Sequence, residues 1–304
     1  MKHLIAACFA LAALGGSAQA ATTILFVGNS FTAGAESGAA NYHAGDIHDL
    51  TPPDKDGQTV GGIPALFYIF TQQAGLDFDV TVETEGGVGL DYHYRQKLPL
   101  LDRAWDVAVL QSYSTLDARR PGDPGITVEY AKKFDAVFHA RNPDVKIYLN
   151  ATWSCADLTY PARTPWHGKG IEQMALDIAE GYEEARKASP GIAGVVPVGT
   201  AWNRAFATGV AGANPYDGIP DNQLNLWASD NHHASIFGSY LEALVVFGKI
   251  TGRDPLSLGP QEKAAVDFGF APEVTMALQQ VAHDELAAQQ GQDASGTPLP
   301  KSNK

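Results

Sequence analysis

An α/β fold is predicted for this chain, with a parallel sheet covered by helices on both faces, and three observations predict it. Uniformly apolar runs at residues 24–27 and 107–110 read as strands buried on both sides. Stretches of helical periodicity separate these and the other strand-like runs. Two of the five runs carry the marks of sheet edges.

The elements follow in order. Residues 24–27 form an apolar strand that ends at a Gly-Asn-Ser turn. Residues 34–62, rich in Gly, Pro and Asp and without a period, read as a long loop. A helix is expected over 63–74, with Pro64 tolerated in its first turn. Phe78, Val80 and Val82 then alternate with Asp79, Thr81 and Glu83, which predicts an edge strand with one wet face. The strand at 107–110 is central, and a helix over 128–140, a strand at 145–149 and a helix over 171–188 follow it. A last strand at 195–198 contains Pro197, which cannot donate to a ladder and so belongs at an edge. Helices over 237–247 and 274–286 complete the pattern. Five strands with the second and fifth at the edges match the flavodoxin-like order 2-1-3-4-5, in which ligands sit beyond the carboxyl ends of strands one and three.

Met1 to His3, the apolar run 4–14 and Ala18-Gln19-Ala20 read as an export signal cleaved near Ala20, with a secreted or periplasmic destination. A lipoprotein site at Cys8 is disfavoured, because too short an apolar run precedes it. The mature chain of about 284 residues suffices for a single domain over 21–288. Residues 289–304 are polar and are expected to be a disordered tail. Loss of Lys2 takes the net charge from −13 to −14, which disfavours nucleic-acid partners, and no later run is long enough for a membrane span. Cys155 is then the only cysteine, so no intramolecular disulfide forms, and no neighbouring base marks it as a nucleophile.

Two distant stretches carry chemistry. "ILFVGNSFT" places Ser30 directly after a buried strand, where its hydroxyl stands free. A serine needs a base within hydrogen-bond reach and a group to orient that base. "SDNHHAS" offers both, Asp230 and His233 three residues apart, before a helix that Ser235 can cap. The adjacent His232 lacks that spacing from Asp230.

Together "FVGNSFTAG", "EGGVGLDYH", "WDVAVLQSYS" and "DNHHASIFGSYLEALV" resemble the four blocks of the SGNH/GDSL hydrolase superfamily, in its Gly-Asn-Ser-Phe-Thr branch. The resemblance implies a three-layer flavodoxin-like sandwich and esterase or lipase-like activity. Carried over to this chain, it makes Ser30 the nucleophile, His233 the base and Asp230 its orienting partner, with the amides of Ser30 and Gly87 forming an oxyanion hole. The superfamily's third-block asparagine is missing from "LQSYS", and Gln111 is the preferred substitute donor, ahead of Tyr113.

Asn29, Asn150, Tyr113, His93 and Trp153 are further pocket candidates, and Trp153 and Trp227 are candidates to stack on a sugar ring. His43, Asp46, His48 and Asp49 are metal-ligand types without a ligand spacing, so neither a metal nor another cofactor is expected. The expected function is an exported serine esterase acting on a small-molecule or carbohydrate ester, preferably an O-acetyl ester. A non-catalytic glycan-binding module is the alternative of another class. A lipase, thioesterase or acyltransferase can use the same three residues.

Overall fold

The structure, a computed structural model, describes residues 20–53, 57–161 and 163–295, so the expected export signal lies almost wholly outside the described residues. Among these residues the sheet has six parallel strands: β1 (Thr22–Gly28), β2 (His48–Asp49), β3 (Phe78–Thr84), β4 (Val107–Leu110), β5 (Lys146–Ala151) and β6 (Ile192–Pro197). Their order is β2-β3-β1-β4-β5-β6, which is the expected 2-1-3-4-5 arrangement with one short strand added outside it. Ile24 pairs with Val80 on one side and Val107 on the other, so β1 is central and fully apolar from Ile24 to Val27.

The added strand corrects the reading of residues 78–83 as an edge. β2, from within the long loop, pairs His48 with Thr81 and Asp49 with Val82. The face expected to be wet is wet only at its start: Thr81 and Glu83 are buried, because Glu83 is paired with the buried His93. Alternation on a parallel strand marks two different neighbours here, not one core face and one solvent face.

Among the described residues six longer helices cover the sheet: α1 (Gly62–Gln73), α2 (Gly125–Arg141), α3 (Glu172–Ala188), α4 (Val198–Ala207), α5 (Ile236–Thr251) and α6 (Pro272–Ser295). α1 and α5 pack together on one face, where Phe67 meets Phe26 of β1 and Phe70 meets Tyr240 and Phe247. α2 and α3 pack together on the other. Ser235 caps α5 by accepting from the Gly238 amide, and Gly252 ends it in the left-handed conformation. α4 was not legible in the sequence: Pro197 closes β6 and the helix starts at the next residue, with no loop to announce it. α6 runs to Ser295, so residues 289–295 of the expected tail are helical, while 296–304 lie outside the described residues.

The loop at 34–62 returns to the end of β1. Ile63 donates to the Thr32 carbonyl at 3.1 Å, and the Gly61 and Gly62 amides donate to Ala40 and Ala39. Gly62 has φ +60°, and a Cβ there would lie 2.6 Å from the Thr32 oxygen. Only glycine permits this return, which fixes the start of α1 against the turn that carries Ser30.

Candidate active site

The Ser30 turn is held by polar groups that converge from the ends of three strands, side chains after β1 and β4 and a carbonyl after β3. The Asn29 amide donates to Gln111 Oε1 at 2.9 Å, and Thr32 Oγ1 donates to the same oxygen at 3.0 Å. Asn29 Oδ1 accepts from the Phe31 amide, while its Nδ2 donates to the Val88 and Ser112 carbonyls. Asn29 therefore ties the segment after β1 to the segments after β3 and β4. The approach is close: a Cβ on Gly28 would fall 2.1 Å from Thr32 Oγ1 and 2.7 Å from Gln111 Oε1. Ser112, in turn, donates its amide to the buried Tyr182 hydroxyl at 2.8 Å.

The histidine loop is a tight return between Trp227 and Ala234, which form an isolated bridge. Asp230 Oδ1 accepts the amides of both His232 and His233 at 3.0 Å, and Asn231 sits at φ +58° to make this turn. The segment after β5 supports the loop from outside. Trp153 donates its indole N–H to the His232 carbonyl, Trp227 to the Ser154 carbonyl, and the Asp157 amide donates to the Asn231 carbonyl. Phe31 stacks on Trp153 at 4.2 Å and presents its ring to the edges of both histidines.

With both segments so held, His233 Nε2 lies 2.9 Å from Ser30 Oγ and His233 Nδ1 lies 2.5 Å from Asp230 Oδ2. Burial pushes the Asp230 carboxyl up, but the His233 ring and the two amides outweigh it and hold the group below the usual carboxylate range. An ionised carboxylate on Nδ1 fixes the ring proton there and leaves Nε2 as an acceptor facing the serine. Of the two adjacent histidines, His233 reaches Ser30 and His232 turns instead to Asp157, 3.0 Å away. Gly87 is exposed in the loop after β3, at φ +72°, beside the Val88 carbonyl that Asn29 holds.

Several expected pocket residues have other places. Gln111 is buried with its carbonyl oxygen on the Ser30 turn, and its NH2 donates to the Ser112 carbonyl, so both ends of its amide are spent on supporting these segments. His93 is buried against Glu83, with Lys97 3.6 Å from that carboxylate, and lines no open surface. Asn150 is buried and donates to Glu242 Oε1 of α5 at 2.7 Å. Trp153 and Trp227 are buried, Trp153 between Phe31 and Trp202, so neither ring is open to a sugar. Tyr113 is half-buried, and burial together with nearby Asp91 raises its hydroxyl pKa, which leaves it a neutral donor.

The residues of the long loop do not converge. His43 pairs with Asp46, His48 with Asp79, and Asp49 accepts from the Thr51 and Val60 amides. What the sequence did not disclose is the bracing set of Tyr182, Asp157 and Phe31. The aromatic after the serine was the one local signal, since Asp157 and Tyr182 meet their partners across 75 and 70 residues.

No family model matches the chain, and no curated protein does. Among solved structures, a DUF4886 family protein from Bacteroides uniformis is similar at a TM-score of 0.60 and 16% identity, covering 88% of this chain and 95% of that one. A candidate GDSL-like lipase from Parabacteroides merdae is similar at 0.51 and 17% identity, covering 76% and 95%. At these identities the shared property is the fold.

Proposed function

We propose that this chain, which has the fold of the SGNH/GDSL hydrolases, is an exported serine esterase that works through an acyl-enzyme. The observation that carries the reading is the contact of Ser30 Oγ with His233 Nε2 at 2.9 Å, backed by Asp230 on the far side of the ring. His233 takes the Ser30 proton as the oxygen attacks the ester carbonyl, and Asp230 stabilises the imidazolium that forms. The tetrahedral oxyanion is met by the amides of Ser30 and Gly87, with Gln111 withdrawn to the support of the turn. His233 then protonates the departing alcohol, and water activated by the same ring releases the acid.

The acyl half is a short one, acetyl, and the alcohol half a carbohydrate. Since Trp153 and Trp227 are buried, the aromatic surface for a sugar is the Tyr160–Tyr216 pair, with rings 5.9 Å apart and Tyr216 47% exposed. Tyr160 follows directly on the short helix Ala156–Thr159, whose Asp157 supports the histidine loop.

The test is hydrolysis of p-nitrophenyl esters of increasing acyl length and of acetylated oligosaccharides by the purified mature protein. Turnover is expected to fall about 10⁴-fold or more in Ser30→Ala and His233→Ala, and a serine-directed fluorophosphonate to label Ser30. Tyr216→Ala is expected to raise KM for the oligosaccharide and leave p-nitrophenyl acetate unchanged. Turnover no higher than that of Ser30→Ala, with glycan binding intact, would refute the esterase in favour of a binding module.

A further inference from the structure

The histidine loop has a second side, turned away from Ser30. There the Cys155 sulfur, a carboxylate oxygen of Asp157 and a ring nitrogen of His232 all lie within 4.8 Å of one another. Cys155 is fully buried, whereas the side chains of Asp157 and His232 are 32% and 27% exposed. The cluster therefore has a soft ligand at its floor, two harder ligands at its rim, and an opening to solvent.

We infer that Cys155, Asp157 and His232 bind a divalent cation of the zinc class, with water as fourth ligand. The three residue types are those that hold zinc, and a thiolate among them selects zinc or cobalt over magnesium or calcium. In a tetrahedral site, bonds of about 2.0–2.3 Å place ligand atoms about 3.3–3.8 Å apart. The three ligand atoms lie within 4.8 Å of one another, and His232 Nδ1 and Asp157 Oδ1, 3.0 Å apart, open slightly to admit the ion between them. The backbone is already held for this. Asp157 donates its amide to Asn231, the Cys155 amide donates to Met174 Sδ at 3.3 Å, and the His232 carbonyl is fixed by Trp153. An ion arriving there orders little that is not ordered already. Binding displaces the Cys155 thiol proton to solvent, and the bond formed is that of the thiolate to the metal.

The site has a structural consequence for the neighbouring loop. The amides of His232 and His233 share Asp230 Oδ1, so an ion that anchors His232 to the segment after β5 also fixes the turn that carries Asp230 and His233. It acts as a staple on the side opposite the serine, and its existence does not depend on the esterase reading.

The experiment uses the untagged mature chain, stripped with chelator and titrated with Co²⁺. One equivalent per chain is expected to produce a near-ultraviolet sulfur-to-cobalt charge-transfer band and the visible bands of a four-coordinate ion, both bleached by Zn²⁺. Cys155→Ser is expected to abolish the charge-transfer band, and His232→Gln and Asp157→Asn each to weaken binding about 100-fold. Zn²⁺ is expected to raise Tm in the parent and not in these variants. Ser30→Ala and His48→Gln are expected to bind Co²⁺ as the parent does, which separates the metal site from the esterase reading. Absence of the charge-transfer band at saturating Co²⁺, or its survival in Cys155→Ser, would overturn the proposal. Should Cys155→Ser not fold, unchanged affinity in both His232→Gln and Asp157→Asn would overturn it equally.

Discussion

Glu242 makes stability depend on pH in a direction opposite to that of most carboxylates. Its side chain is fully buried in α5, Oε1 accepts from Asn150 Nδ2, and Oε2 has no hydrogen-bond partner among the described residues. Burial raises its pKa from 4.5 to about 8, and the Asn150 hydrogen bond offsets that only in part. Between those two values the folded chain keeps a proton that the unfolded chain releases, so stability declines as pH rises through the window. At about 1.4 kcal/mol per unit, the decline amounts to about 3 kcal/mol by pH 7 and about 5 kcal/mol above pH 8, an upper bound for one group. Glu242→Gln keeps the shape of the protonated acid and cannot ionise. Urea unfolding of both chains from about pH 5 to about pH 9 isolates this group, because every other titration is common to the two. The difference in stability is expected to grow in favour of Glu242→Gln as pH rises and to level off above pH 8. Parallel profiles across the window would refute the reasoning, since they would mean that Glu242 ionises in the folded chain as easily as in the unfolded one.

Three further outcomes are expected. Asp230→Asn replaces the acceptor for His233 Nδ1–H with a donor, and kcat on p-nitrophenyl acetate should fall about 10³–10⁴-fold with little change in Tm. Gln111→Leu strands the Asn29 amide and the Thr32 hydroxyl in a buried turn, so chemical denaturation should show a loss of about 2–5 kcal/mol alongside reduced turnover. Gly62→Ala puts a methyl 2.6 Å from the Thr32 carbonyl at a positive φ, and a loss of about 2 kcal/mol or more in thermal or urea unfolding should follow.

Much of the scaffold was legible because strand burial and helix periodicity are local properties. The run 24–27 announced a central strand, and Pro197 announced an edge, for reasons contained within a few residues of each. The spacing of Asp230 and His233 was legible too, since a three-residue turn dictates which imidazole faces the carboxylate. The short strand His48–Asp49 was not, because two residues in a Gly- and Pro-rich loop carry no period and gain their pairing only from β3. The role of Gln111 misled for a related reason. A carboxamide has a donor and an acceptor end, and which end meets the turn was decided by the Asn29 amide and Thr32, about 80 residues away.

The chain by itself determined an α/β sheet with the order of its five longer strands, and it brought out Ser30, Asp230 and His233, since these rest on short-range pattern. The tertiary structure alone decided which polar groups are spent on support. It buried Trp153, Trp227, His93 and Asn150, and it gathered Cys155, Asp157 and His232 behind the histidine loop. Burial and hydrogen-bond partnership belong to two surfaces at once, and the second surface lies tens of residues away, where no local pattern records it.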